Sequence, residues 1–407
     1  MTTTTMVPKG EQIRQSEAEH VLQVYRRAPI VLVRGEGSWV WDSEGTKYLD
    51  LTSGVGVASL GHANPGLAAV IADQASTLVH TSNLFFHPYQ SELAEKLCRL
   101  SGMDRVFFCN SGTEAVEGCL KFARRFWFSQ GHPERTSFVA LTHSFHGRTF
   151  GSLSVTADPH YRDPFGPMLS VTFVDAGDPA ALDQAVTEGT AAIIVEPIQG
   201  EGGVRPLSAA FAQAVTAAAA RTGALVIADE VQSGLGRSGH AFYAPAIGLQ
   251  PDLIAIGKAL GGGVPVGAVL LRERIATSVS PGDHGSTYGG NLLACRAGIY
   301  FVDQLLDGGL LEHVQKVGTH LGASLEALAG RQPMVKALRG AGLLRGIEID
   351  RPASQVVEAA RPLGLLVNAT SQTVVRLLPP LTITTAEVDE AVSRLDAAMT
   401  SVAGGTR

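Results

Sequence analysis

The sequence predicts an α/β protein, with a mostly parallel seven-stranded sheet buried between helices and a smaller α+β domain assembled from both chain ends. Three observations carry this. Short continuous apolar runs alternate with helical stretches through the middle of the chain, the pattern of strands covered on both faces. Near the N-terminus the runs instead alternate apolar with polar residues, as in a half-exposed meander. Finally, 407 residues with 45% hydrophobic and 17% charged side chains are enough for two to three domains and too weakly charged for a disordered chain.

Taken in order, the chain opens with a helix. Runs at 30–34, 38–41 and 47–51 follow, with the turn Asp42-Ser-Glu-Gly45 between the last two. Seven apolar runs then read as the buried strands: 106–109, 138–141, 171–174, 192–195, 225–228, 253–256 and 266–271. The alanine-rich stretch at 217–220 is helix interior. Beyond about residue 300 come helix, short strands and a last helix near 385–402. The expected division is an N-terminal segment 1–60 that joins 300–407 in the small domain, around a large domain 61–299. There is no internal repeat and no linker. The 46 glycines exceed the ~7% average, which points to tight turns and close approaches rather than disorder.

Composition excludes several classes. With 32 Lys and Arg against 38 Asp and Glu, the net charge is -6, so no basic field marks a nucleic-acid partner. No apolar run reaches the ~18–20 residues of a membrane span, and the start MTTTTMVPKGEQ lacks the apolar core of a signal peptide. A cytoplasmic protein is expected. Cys98, Cys109, Cys119 and Cys295 show no CxxC spacing and read as buried free thiols.

In open parallel sheets the ligand site lies beyond the carboxyl ends of the strands. Three strand ends here carry chemistry: one runs into Glu196-Pro-Ile-Gln-Gly-Glu201, one into Asp229-Glu-Val-Gln232, and one into Gly257-Lys258 before Gly261-Gly-Gly263. A fourth is followed by Asn110-Ser-Gly-Thr-Glu114, where Ser111 and Glu114 match a capping box. There Gly112 and Thr113 open a helix N-terminus suited to phosphate. An amine, an acid and a phosphate cup are together what pyridoxal phosphate requires of a protein. Gly234-Leu-Gly236-Arg-Ser-Gly239 fits GxGxxG, but it does not sit at a strand-to-helix turn, so a dinucleotide site is rejected. His143 and His146 are too few for a metal site.

At this point the chain resembles a fold-type I, class III (omega-amino-acid) aminotransferase, closest to the acetylornithine branch. The motifs that carry the resemblance span about residues 34–402. They include Gly61-His-Ala-Asn-Pro65, Thr81-Ser-Asn-Leu-Phe-Phe86, Ser144-Phe-His-Gly-Arg-Thr149, Lys258-Ala-Leu-Gly-Gly-Gly263, His284-Gly-Ser-Thr-Tyr-Gly-Gly-Asn291 and Val375-Arg-Leu-Leu-Pro-Pro380. The resemblance implies pyridoxal 5'-phosphate as cofactor and no metal. Lys258 would carry it as a Schiff base, and Asp229 would pair with its ring nitrogen. Phe145 and Val231 would cover the ring faces, Gln232 would lie near the ring hydroxyl, and Gly112 and Thr113 would hold the phosphate. Ser286 and Thr287 would reach the site across the interface of a homodimer with shared active sites.

For substrate, the resemblance implies that Arg376 grips the α-carboxylate of 2-oxoglutarate, with Glu201 as the gate that pairs with it while the donor is bound. Arg148 would hold the far carboxylate of the donor, and Ser286 would also contact substrate. The activity implied is a ping-pong transfer of the δ-amino group of N2-acetylornithine to 2-oxoglutarate, in arginine biosynthesis, with Lys258 as general base and acid. Ornithine and 4-aminobutyrate aminotransferases share the scaffold. So does a lysine-pathway enzyme acting on an aminoadipate semialdehyde held by an acidic carrier protein, and residues 151–156 and 161–165 are compatible with that relative too.

Overall fold

The computed structural model describes residues 10–404. Residues 1–9, most of the stretch read for a targeting signal, lie outside the described residues, as do 405–407. The central sheet has seven strands: β1 (Arg105–Cys109), β2 (Ser137–Leu141), β3 (Val171–Val174), β4 (Thr190–Val195), β5 (Leu225–Asp229), β6 (Leu253–Ile256) and β7 (Gly267–Leu271). Their order is β1-β7-β6-β5-β4-β2-β3, and only β7 runs antiparallel to its neighbours. All residues of β4, β5, β6 and β7 are buried, which is why these runs are apolar throughout rather than alternating. Edge strand β3 keeps an exposed position.

The two faces separate by the period of two. Ile194, Ile227, Leu253 and Val269 pack on Ala115, Cys119, Phe122 and Phe126 of the helix Gly112–Ser129. Ile193, Val195, Val226 and Ile254 face the other way and pack with Phe211 and Val215 of the alanine-rich helix Ala209–Thr222. Burying each such side chain contributes about 1.5–3 kcal/mol over leaving it in water. That second helix begins where the Ser208 side chain accepts from the Phe211 N–H and stops at Gly223, φ 77°.

The N-terminal meander, Leu32–Glu36, Trp39–Asp42 and Lys47–Asp50, is antiparallel and takes Leu365–Leu366 as a parallel fourth strand. Its turn is tied by Asp42, whose carboxylate accepts from the N–H groups of Glu44 and Thr46 and from the Tyr48 hydroxyl. A second four-stranded sheet contains Val335–Ala341, Leu344–Ile349, Val374–Leu377 and Asn368–Ser371, in that order. It is antiparallel, and Val374–Leu377 brings Arg376 toward the central sheet. The helix Thr385–Gly404 ends the described chain.

Two expectations need correction. Cys98 is half-buried rather than buried, although all four cysteines are free. The capping box at Ser111 is half formed: Ser111 Oγ accepts from the Glu114 N–H at 3.3 Å, but the Glu114 carboxylate turns to the N–H of Asn110, at 2.5 Å, instead of that of Ser111. The side-chain amide of Asn110 also donates to the same carboxylate, at 3.2 Å, so both Asn110 donors compete with the Ser111 N–H for it. Among the described residues no helix is long and apolar enough to cross a membrane.

Candidate active site

The carboxyl ends of β1, β2, β4, β5 and β6 converge on a cavity of about 240 Å³. It is lined by Gly112, Thr113, Phe145, Arg148, Glu201, Asp229, Val231, Gln232 and Lys258, so nine of the residues proposed from sequence meet at one place. His146, Gly147 and Glu196 complete the wall. Two larger surface clefts, of about 650 and 840 Å³, are lined without any lysine.

Lys258 follows β6 with a left-handed backbone, φ 40°, rare for a residue with a Cβ and a sign that the surrounding structure holds it. Gly257 before it permits the approach: a Cβ there would lie 3.0 Å from the Gly112 backbone. A Cβ on Gly112 would in turn meet Val231 at 2.5 Å. Burial pushes the Lys258 amine below its usual range, and the Arg376 charge adds to this, against the opposing pull of Glu201, Asp229 and Glu196. No described residue accepts a hydrogen bond from its Nζ.

Asp229 closes β5 and is 5% exposed. One carboxylate oxygen accepts from the Val231 N–H at 3.0 Å, and the other lies 2.8 Å from Nδ1 of His146. A carboxylate in its ionised form only accepts, so such a contact is made by the imidazole tautomer with its proton on Nδ1. Its Nε2 is buried without a partner among the described residues. Sequence reasoning considered His146 only as a metal ligand and missed this contact, which spans 83 positions of chain. Glu196 was also left without a role. Its oxygens accept from the N–H groups of Phe145 and Gly200, at 3.0 and 3.3 Å. Burial, aided by the nearby Asp229 charge and opposed by His146, raises its carboxyl to about 7.

The N–H groups of Gly112 and Thr113 have no acceptor among the described residues, as the first turn of a helix requires unless something caps it. The Thr113 hydroxyl is already engaged, 2.6 Å from Ser152 Oγ and accepting from the N–H groups of Arg148 and Thr149. Deeper in the site, Arg376 is 1% exposed and its Nη1 contacts Glu201 Oε1 at 2.5 Å, Gln232 Oε1 at 3.1 Å and the Gly200 carbonyl at 3.3 Å. Burial raises the Glu201 carboxyl, but the charges of Arg376 and Lys258 more than reverse this and hold it below the usual range. Arg148 is exposed, makes no side-chain hydrogen bond or ion pair among the described residues, and lies with its guanidinium carbon 3.8 Å from the centre of the Tyr161 ring.

Ser286 and Thr287 are not brought into this cavity within one chain. Ser286 lines a separate cleft, where its hydroxyl accepts from Asn110 at 3.1 Å and from the Gly289 N–H at 3.0 Å; Thr287 is exposed. The GxGxxG segment forms turns, with Arg237 buried and donating to the carbonyls of Leu343 and Pro379. No group of three metal-ligating side chains exists among the described residues.

An unpaired amine whose pKa burial lowers, a buried acid, two helix N–H groups without an acceptor among the described residues and a cradle kept open by glycines fit pyridoxal phosphate. The family model for class-III aminotransferases matches residues 22–399, and the chain belongs to that family as a pyridoxal-phosphate-dependent transaminase of fold type I. It is 43% identical over 387 residues to the acetylornithine aminotransferase of Methanothermobacter thermautotrophicus, covering 95% of this chain and 98% of that one. Among solved structures, the ornithine aminotransferase of Toxoplasma gondii superposes with a TM-score of 0.93 at 31% identity, over 98% of this chain and 97% of the other. The acetylornithine aminotransferase of Elizabethkingia anophelis gives 0.87 at 34% identity, over 97% and 100%.

Proposed function

We propose that the chain moves the δ-amino group of N2-acetylornithine to 2-oxoglutarate, giving N-acetylglutamate 5-semialdehyde and glutamate, as a step of arginine biosynthesis in the cytoplasm. The observation that carries this reading is the pair of arginines at one cavity: Arg148 exposed and without a counter-ion, Arg376 buried and paired with Glu201. A donor whose carboxylate lies far from its reacting amine can meet Arg148 and leave the Glu201–Arg376 pair intact. For 2-oxoglutarate, whose carboxylate adjoins the reacting carbon, Glu201 must swing away and free the Arg376 fork for bidentate pairing.

When bound, pyridoxal phosphate supplies the carbonyl that exchanges the amino group and a ring that absorbs the electrons released at the substrate carbon. The chain's own groups do the rest. Lys258 Nζ, its proton affinity lowered by burial, takes the proton from the substrate carbon and returns it one step later. Asp229 would pair with the ring nitrogen and favour its protonated form, and His146 holds that carboxylate in place through the 2.8 Å contact of its Nδ1. Phe145 and Val231 line the cavity and would cover the ring, Gln232 ties to both Glu201 and Arg376, and the N–H groups of Gly112 and Thr113 would hold the phosphate.

We further read the enzyme as a homodimer whose partner supplies Ser286 and Thr287. The exposed Leu84, Phe85, Phe86 and Tyr288 near that segment support this, because a monomer rarely leaves such a cluster in water. The division into a large domain 61–299 and a small one from both ends is supported by the pairing of Leu365–Leu366 with Lys47–Asp50. The test is kcat/KM with 2-oxoglutarate for acetylornithine, ornithine and 4-aminobutyrate. Acetylornithine should lead by at least about tenfold; a lead by either of the others would replace the substrate and leave the chemistry.

A further inference from the structure

Tyr161 was part of a motif to which the sequence assigned no role. We propose that Tyr161 is a positioning residue that sets donor selectivity: its ring holds the Arg148 guanidinium so that the cation's N–H edge faces a carboxylate of the amino donor. This rests on the reading of Arg148 as the donor's carboxylate site.

The Arg148 guanidinium carbon lies 3.8 Å from the centre of the Tyr161 ring and 5.4 Å from that of Phe145. The two rings meet edge to face, 6.3 Å apart at 84°, and form a corner that receives the cation. A planar cation stacked on a ring has one face covered and its in-plane donors left free. No described acceptor takes those donors, so the fork is held by contact alone and stays available for a carboxylate. An acid in the place of Tyr161 would fix the arginine equally well but neutralise it.

Both ends of the side chain are therefore restrained. The Arg148 N–H donates to Thr113 Oγ1 at 3.0 Å, which pins the backbone to the helix that opens the site. The ring itself belongs to the short helix Pro159–Arg162, where Asp158 accepts from the His160 N–H at 3.0 Å. Arg162 then anchors the turn, donating to the Thr156 carbonyl at 3.1 Å and covering the Phe173 ring at 4.7 Å. Because the Tyr161 hydroxyl has no hydrogen-bond partner among the described residues, the aromatic face is the active feature.

The test compares two donors of the cofactor-loaded enzyme that differ only by the carboxylate: N2-acetylornithine and N-acetylputrescine. In Tyr161→Leu the ratio of their kcat/KM values should fall by about three- to thirty-fold, mostly through a higher KM for acetylornithine. Tyr161→Phe should restore the ratio, and Tyr161→Gln should behave as Tyr161→Leu. A ratio within about twofold of wild type in both Tyr161→Leu and Tyr161→Gln, while Arg148→Ala collapses it, overturns the role of Tyr161 and keeps that of Arg148. An unchanged ratio in Arg148→Ala overturns both.

Discussion

Arg148 and Arg376 are the same residue in opposite settings. Arg376 sits on a strand, 1% exposed, with an acid, an amide and a carbonyl around its Nη1. Arg148 sits on a loop, open to water, with aromatic rings beside it and no acceptor among the described residues. A buried cation without a counter-ion is costly, so Arg376 needs Glu201 whenever substrate does not bring a carboxylate to it. An exposed cation needs none, so in the proposed function Arg148 is open to every donor. On the proposed reading, one site is switched by its partner acid, whereas the other is always on.

The strongest way to sharpen this contrast is to remove what both arginines serve. Lys258→Ala should keep both carboxylate sites but lower turnover by more than about 10³-fold, measured as steady-state product formation. Near-normal turnover would sink the assignment of Lys258.

Next, Glu201→Gln makes Arg376 resemble Arg148, an arginine with no acid attached. Donors with a carboxylate beside the amine, such as glutamate, should then gain about ten- to hundredfold in kcat/KM relative to acetylornithine. The same variant should be less stable by about 1–3 kcal/mol in denaturant unfolding, since Arg376 keeps only neutral acceptors. Equal loss for both kinds of donor would break the gate.

A smaller effect is expected at the acid opposite. His146→Ala leaves one Asp229 oxygen without its donor at 2.8 Å. Turnover should fall by about tenfold, with little change in the KM ratio between donors, because neither arginine is touched. A changed donor ratio would place His146 in the carboxylate sites instead.

Smallest of all is a pH effect at Glu230, where burial is met by protonation rather than by a partner cation. Burial raises its carboxyl to about 7, while its oxygens accept from Ser233 Oγ and the Ala244 N–H. A folded-state value above the unfolded one means the stabilisation is complete below about pH 4.5 and is lost as pH rises toward 7. Glu230→Gln should flatten that decline by up to about 3 kcal/mol, read as a smaller change in unfolding free energy between those pH values. An unchanged slope would show Glu230 ionised in the folded chain.

Much of this was legible in the chain itself. The buried strands declared themselves as unbroken apolar runs, because both faces of β4, β5 and β6 are covered. Lys258, Asp229 and Gly112 were readable because each stands at a strand end or a helix start, where local sequence decides position. His146, Glu196 and Tyr161 were not. Their roles depend on contacts of tertiary structure: an imidazole meeting Asp229 across 83 residues, an acid reaching two loop N–H groups, a ring lying against an arginine. Ser111 shows the limit at short range, since its motif called for a reciprocal cap and the Glu114 carboxylate chose the neighbouring N–H.

The most direct test of the central claim is a single-turnover absorbance trace of the cofactor-loaded protein mixed with acetylornithine in the absence of 2-oxoglutarate, with ornithine and 4-aminobutyrate beside it. Rapid loss of the yellow band with acetylornithine, restored on adding 2-oxoglutarate, is the expected result. A yellow protein indifferent to acetylornithine, yet bleached by another omega-amine, would contradict the donor assigned to this pair of arginines.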